Sequence, residues 1–115
     1  MQTNSLNFFE TLLSHSTNRS SYSSMSEWFK RFIEETKLVP STLEQATLGG
    51  RLSKNMGFAF AAGYQSAIQS LFKPDSRQLA SLCISEQEGN HPRAIKCSLI
   101  KHGQNWHLNG SKSFI

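Results

Sequence analysis

Residues 79–115 read LASLCISEQEGNHPRAIKCSLIKHGQNWHLNGSKSFI, and this stretch decides the fold. Within it the apolar period is 2, the period of a strand with one buried face. LASLCIS (79–85) is a compact apolar run, expected as a strand. AIKCSLIK (94–101) alternates, with Ile95, Cys97 and Leu99 on one face and Lys96 and Ser98 on the other. HGQN (102–105) turns the chain, and WHL (106–108) reads as a short strand. Asn109-Gly110 is the strongest two-residue hairpin signal, so SKSFI (111–115) is expected to return as a further strand. Three or four strands with one apolar face need cover. A strand under way at Ile115 would leave an open edge, so the chain is expected to continue in its natural context.

Upstream the period lengthens to that of helices. LNFFETLL (6–13) places Phe8, Phe9, Leu12 and Leu13 on one face. Residues 15–24 are Ser-rich and patternless, a loop ending in a start signal, Ser24 with Glu27, the spacing of a capping box. The helix that follows turns Met25, Trp28, Phe29, Phe32 and Ile33 inward. Its polar face offers Lys30–Glu34 and Arg31–Glu35 as i, i+4 pairs. Pro40 interrupts, and Ser41 with Glu44 opens a short helix that Gly49-Gly50 is expected to end or kink. The longest helix is expected over residues 51–72. Leu52, Met56, Phe60, Tyr64, Ile68 and Phe72 form its inner row, with Ala59, Gly63, Ala67 and Leu71 beside them. Small residues let another backbone come close, so this helix reads as a core helix, with an oligomer interface as the second reading. Residues 73–78, KPDSRQ, form a turn and linker. The expected organisation is therefore α+β: an N-terminal helical bundle over 1–78, then the first antiparallel strands of a β-barrel-like middle domain over 79–115, incomplete.

Bulk properties narrow the classes. Eight Phe and two Trp among 115 residues supply a core, which excludes disorder throughout. The net charge of +4 is spread along the chain, whereas nucleic-acid binders gather Lys and Arg into a stripe. No nucleic-acid partner is expected. Cys83 and Cys97 stand apart with no CxxC spacing, which fits a reducing compartment better than a disulfide framework. The four histidines show no paired ligand spacing, so no metal is expected. The amino terminus lacks the basic and apolar regions of a signal peptide, and MGFAFAAGYQSAI (56–68) is too short and interrupted to span a bilayer. A cytoplasmic protein without a membrane span is expected.

The segment from Leu79 resembles the opening of the middle β domain of the acyl-CoA dehydrogenase family of flavoproteins. CISE (83–86) stands for the family's strand ending in Thr-Glu-Pro. LNGSKSFI (108–115) stands for its hairpin, Leu-Asn-Gly-x-Lys-x-Trp-Ile-Thr. The helical first half is similar in order and character, without a shared motif. The resemblance implies FAD as cofactor, an acyl-CoA substrate, a separate electron acceptor and a homo-oligomer. It places the strand end and the following loop along the flavin ring. Ser85 occupies the family's Thr position, where its hydroxyl and backbone N–H would donate to the isoalloxazine edge. Leu82 and Ile84 would supply backbone and apolar contacts. Asn90 and His91 would lie in the cofactor-side loop, Asn90 keeping some of its backbone freedom and His91 near the family's Ser, close to the acyl-CoA and the FAD phosphates, and Phe114 stands where the family has Trp.

The chain departs from the family pattern at Gln87, in place of Pro, and in a loop, EGNHPR, one residue shorter and stiffened by Pro92. Arg93 reads either as a phosphate partner or as a solvated loop residue. The family's catalytic carboxylate belongs to a C-terminal helical domain, so no residue here is assigned as catalytic. These residues are expected to be an inactive N-terminal portion of such an oxidoreductase. The alternative is a small non-enzymatic α+β binding or adaptor module.

Overall fold

A computed structural model describes residues 4–14, 21–74, 77–89 and 91–113. The Asn90 and Phe114 assignments lie outside these residues, as does most of the loop expected over 15–24. Among the described residues the fold is α+β, with four α-helices and one two-stranded antiparallel sheet. The chain divides into two compact units, Met1–Ala80 and Ser81–Ile115.

The first unit is helical: α1 (Asn4–Ser14), α2 (Met25–Thr36), α3 (Thr42–Leu52) and α4 (Met56–Phe72). At the start of α2 the Ser24 hydroxyl accepts the Glu27 N–H. The Glu27 carboxylate reaches one residue further back than a standard capping box, accepting from the Ser23 N–H at 2.9 Å and the Ser23 hydroxyl at 2.7 Å. On the solvent face, Arg31 pairs with both Glu34 and Glu35. On the inner face, Trp28 stacks between Phe32 and Phe58, at centroid distances of 5.1 and 5.7 Å. Together with Ala61 and Ala62 these rings build the core. Each aromatic pair adds about 1 kcal/mol beyond its buried area.

The boundary between α3 and α4 differs from the sequence expectation. Gly49-Gly50 does not stop α3, which runs on to Leu52. Gly49 is buried where α3 meets α2 and α4. A methyl group there would lie 2.5 Å from Phe32 Cε2 and 2.7 Å from Ala62 Cβ. The glycine serves helix packing, which offsets its propensity cost of about 1 kcal/mol. The break comes at residues 53–55, and α4 starts after Asn55, whose Oδ1 accepts the Gly57 N–H at 2.6 Å.

The row expected to face inward on α4 is largely the outer one. Met56 is 86% exposed and Phe60 73%, and Phe72 is also exposed. The buried face is Ala61, Ala62, Gln65, Ser66 and Ile68. Small side chains win it because α3 approaches through Gly49, and a Phe row would hold the helices apart. After α4, Arg77 lies with its guanidinium 5.0 Å over the Phe32 ring and donates to Thr36 Oγ1 at 2.9 Å.

The second unit holds β1 (Ser98–His102) and β2 (Asn105–Asn109), paired antiparallel with Ser98 opposite Asn109 and His102 opposite Asn105. The turn falls at Gly103-Gln104, inside the expected HGQN, with Gly103 at φ 62°. Leu99, Lys101, Trp106 and Leu108 share one face, where the Lys101 ammonium sits 5.6 Å from the Trp106 ring centroid. All four are exposed, so the sheet is not sealed by its own residues.

Three strand expectations are corrected. Residues 79–85 form no strand, because the backbone of Ala80 is taken by a helix side chain: Gln65 Nε2 donates to the Ala80 carbonyl at 2.7 Å, and Gln65 Oε1 accepts the Ala80 N–H at 3.0 Å. Residues 94–97 precede β1 rather than belonging to it, because the Lys96 and Cys97 N–H groups bond to a carboxylate. Asn109-Gly110 is not a hairpin turn. Asn109 still pairs within β2, and residues 111–113 leave the sheet. Gly110, at φ 148°, lies against Cys97, where an added Cβ would be 2.8 Å from Cys97 Cα.

Candidate functional site

The predicted site residues Leu82, Ile84 and Ser85 sit on a segment outside the two-stranded sheet, leading into a tight turn. Within that turn the Glu86 N–H donates to the Gly89 carbonyl at 3.1 Å, and the Gly89 N–H returns the bond at 2.9 Å. Gly89 adopts φ 113°, which any side chain would strain. Leu82 is 43% exposed and Ile84 45%, an apolar pair facing partly outward. Ser85 is half-buried, and its carbonyl accepts the Ser113 N–H at 2.8 Å. Among the described residues, the Ser85 carbonyl is its only polar group with a partner.

Glu86 is the centre of the unit. Only 7% exposed, its carboxylate gathers three donors from two distant segments. The Lys96 N–H reaches Oε2 at 2.7 Å, and the Cys97 N–H reaches Oε1 at 2.9 Å. The Lys112 ammonium reaches the same Oε1 at 2.8 Å and also donates to the Ile84 carbonyl at 3.1 Å. Buried charge is tolerated when it is paired and its remaining lone pairs are filled, as they are here.

These contacts set the electrostatics. Lys112 first, then Cys97 and the two backbone donors, hold the Glu86 carboxyl far below the usual carboxylate range. Glu86 in turn raises the Lys112 ammonium, and it raises the Cys97 thiol, which therefore stays protonated. Cys97 packs against Gly110, and a raised thiol holds little of the nucleophilic thiolate near neutrality. Glu86 has its oxygens committed to these partners, and a carboxylate held so far below its usual range takes up a proton too weakly to suit a general base near neutrality.

His91 stands exposed at the head of a short 3₁₀ turn (Pro92–Ala94), its Nδ1 accepting the Arg93 N–H at 3.2 Å. No described contact ties His91 to Ser85. His102 and His107 are neighbours across the hairpin, with ring centroids 4.9 Å apart. Among the described residues no group of three or more metal-ligating side chains converges.

The described residues line two sizeable grooves. One of about 640 Å³ lies in the helical unit, lined by Phe8, Leu38, Val39, Leu48, Glu34 and Glu44. The other, of about 340 Å³, is lined by Glu86, Glu88, Ala94, Lys96, Ser111 and Ser113. The larger carries no predicted site residue. The smaller touches both flanks of the Ser85–Ser113 contact without including Leu82, Ile84 or Ser85.

Sequence reasoning missed Glu86, Lys112, Ser113 and Cys97 as a connected group. The signal was there in part, since Glu86 belongs to CISE and Lys112 to LNGSKSFI, but nothing in either stretch shows that they meet. No known protein family, curated protein or solved structure matches the chain. Among the described residues, no helix is long and apolar enough to cross a membrane.

Proposed function

We propose that the chain is part of an FAD-dependent oxidoreductase similar to the acyl-CoA dehydrogenases, acting on an acyl-CoA thioester and passing electrons to a separate acceptor. One observation carries this reading. The two stretches that resemble the family, CISE and LNGSKSFI, meet at a single point. Glu86 and Lys112, 26 residues apart in sequence, are joined by a buried ion pair, and Ser85 is hydrogen-bonded to Ser113. Their meeting puts both resembling stretches at one place, and this is what supports the reading.

The residues present suit one edge of a flavin. Ser85 has a hydroxyl and an N–H uncommitted among the described residues, and the exposed Leu82 and Ile84 offer apolar surface beside it. A fixed donor at this position stabilises negative charge that gathers on a reduced ring. Bound flavin would supply hydride acceptance, while this chain would supply orientation and part of the electrostatics. In the family that the chain resembles the α-proton base belongs to a C-terminal helical domain, so none is assigned here.

The test is direct. The longer protein to which these residues are proposed to belong is expressed from its reading frame, purified, and examined for flavin by absorbance and by release of FAD on denaturation. About one FAD per chain is expected. A folded, colourless protein that takes up no added FAD refutes the proposal.

A further inference from the structure

Three successive residues, Ile84, Ser85 and Glu86, are held by two successive residues, Lys112 and Ser113. The Lys112 ammonium bonds the Ile84 carbonyl at 3.1 Å and the Glu86 carboxylate at 2.8 Å. The Ser113 N–H bonds the Ser85 carbonyl at 2.8 Å. Ser85 is thus gripped through its own backbone and on both sides. Glu86 is also tied to Gly89 across the tight turn, while Ile84 and Ser85 lie outside the two-stranded sheet. Without these bonds a serine on a partly exposed segment outside the sheet would sample several directions, and each would cost a donor its alignment with a ligand.

Lys112 suits this task. Its side chain is about four-fifths buried, and its charge is balanced by a buried carboxylate. The pair is neutral as a whole, and what Lys112 contributes at Ser85 is geometry, through its bonds on either side. Glu86 fixes Lys112 from the other side, being itself anchored to the Lys96 and Cys97 N–H groups just before β1. The chain of restraint runs from the start of the hairpin through Glu86 and Lys112 to Ser85.

We infer that Lys112 is the positioning residue for the Ser85 donor, acting with Glu86 as its anchor, so that the Lys112–Glu86 pair sets how the flavin edge is held. The inference rests on the flavin reading proposed above. It is tested on that longer protein expressed from its reading frame, with K112Q, K112R, E86Q and S85A compared with wild type. The measurements are amide exchange over residues 84–86, FAD affinity, and the visible circular dichroism of bound flavin.

K112Q and E86Q are expected to speed amide exchange at 84–86, weaken FAD about tenfold or more, and change the flavin dichroism in the same sense as S85A. K112R, which keeps a donor and a charge, should retain most of the wild-type dichroism. The inference is overturned if K112Q loosens the segment while FAD affinity and dichroism stay as in wild type and S85A alone disturbs them. In that case the flavin reading stands and Lys112 is merely structural. A folded wild-type protein without flavin overturns both, and the exchange data then still report whether the restraint on 84–86 exists. If K112Q fails to fold, the comparison of E86Q with K112R decides: equal, wild-type dichroism in both refutes the inference.

Discussion

Gln65 and Ala80 are joined at two points, amide to backbone, as neighbouring strands would be: the Gln65 side chain donates to the Ala80 carbonyl and accepts its N–H. One helix side chain thereby fixes the end of the helical unit and removes from strand pairing the backbone that an apolar sequence would otherwise offer. Gln65→Leu keeps the buried volume and loses both bonds. It is expected to lower the stability of the helical unit by about 1–2 kcal/mol, read by denaturant unfolding.

Gly49→Ala should be costly although alanine is the better helix former. The new methyl would meet the Phe32 ring and Ala62, neither of which is a flexible chain end. A loss of about 1–3 kcal/mol is expected, seen as a lower melting temperature. Gly50→Ala is the control. It has open space beside it, and substitution there should be neutral or stabilising.

At Gly110 two obstacles coincide, the positive φ and the contact with Cys97. Gly110→Ala is expected to destabilise the hairpin unit by about 2 kcal/mol. Cys97→Ala combined with it should recover part of the loss by clearing the thiol, and a double-mutant cycle measures this.

The Glu86–Lys112 pair predicts a stability plateau with an acid and an alkaline limit. The folded carboxyl of Glu86 titrates below its unfolded value, so its contribution is complete above the unfolded value and is lost as pH falls through the folded one. The folded ammonium of Lys112 titrates above its unfolded value, so its contribution is complete below the unfolded value and is lost as pH rises through the folded one. Thermal melts across pH should show both limbs, and E86Q should flatten the acid limb while lowering the plateau.

Lys73 ends α4 in the left-handed region, at φ 44°, a position where helices commonly carry glycine. Lys73→Gly removes the Cβ strain and is expected to stabilise the helical unit by about 1 kcal/mol. An unchanged or lowered melting temperature would count against this.

How much of this was legible depended on whether local and tertiary demands agreed. For α2 they agreed: Ser24 and Glu27 mark its start, and Trp28 and Phe32 repeat at the helical period. At Gly49-Gly50 they diverged, because propensity says stop and packing against Ala62 needs a residue without a side chain. The outward Met56–Phe60 row of α4 misled for a related reason. Size suggested burial, whereas the close approach of α3 favoured Ala61 and Ala62. In the second unit the alternating pattern gave β1, β2 and their turn. Asn109-Gly110 carries a turn signature that the structure uses for close contact with Cys97 instead. The meeting of Glu86 with Lys112 was out of reach, since a period of 2 says which face a residue takes and nothing about a partner 26 positions away.

Helix α4 carries no charged residue in seventeen, and its first residue, Met56, stands 86% exposed. A thioether in that position is open to oxidation by dilute peroxide, which would turn an apolar tip into a polar sulfoxide. Met56 is therefore a chemical footprint for its own surroundings. Mass spectrometry of the peroxide-treated protein would show rapid sulfoxide formation wherever this side of the helix meets water, and protection wherever another surface lies over it.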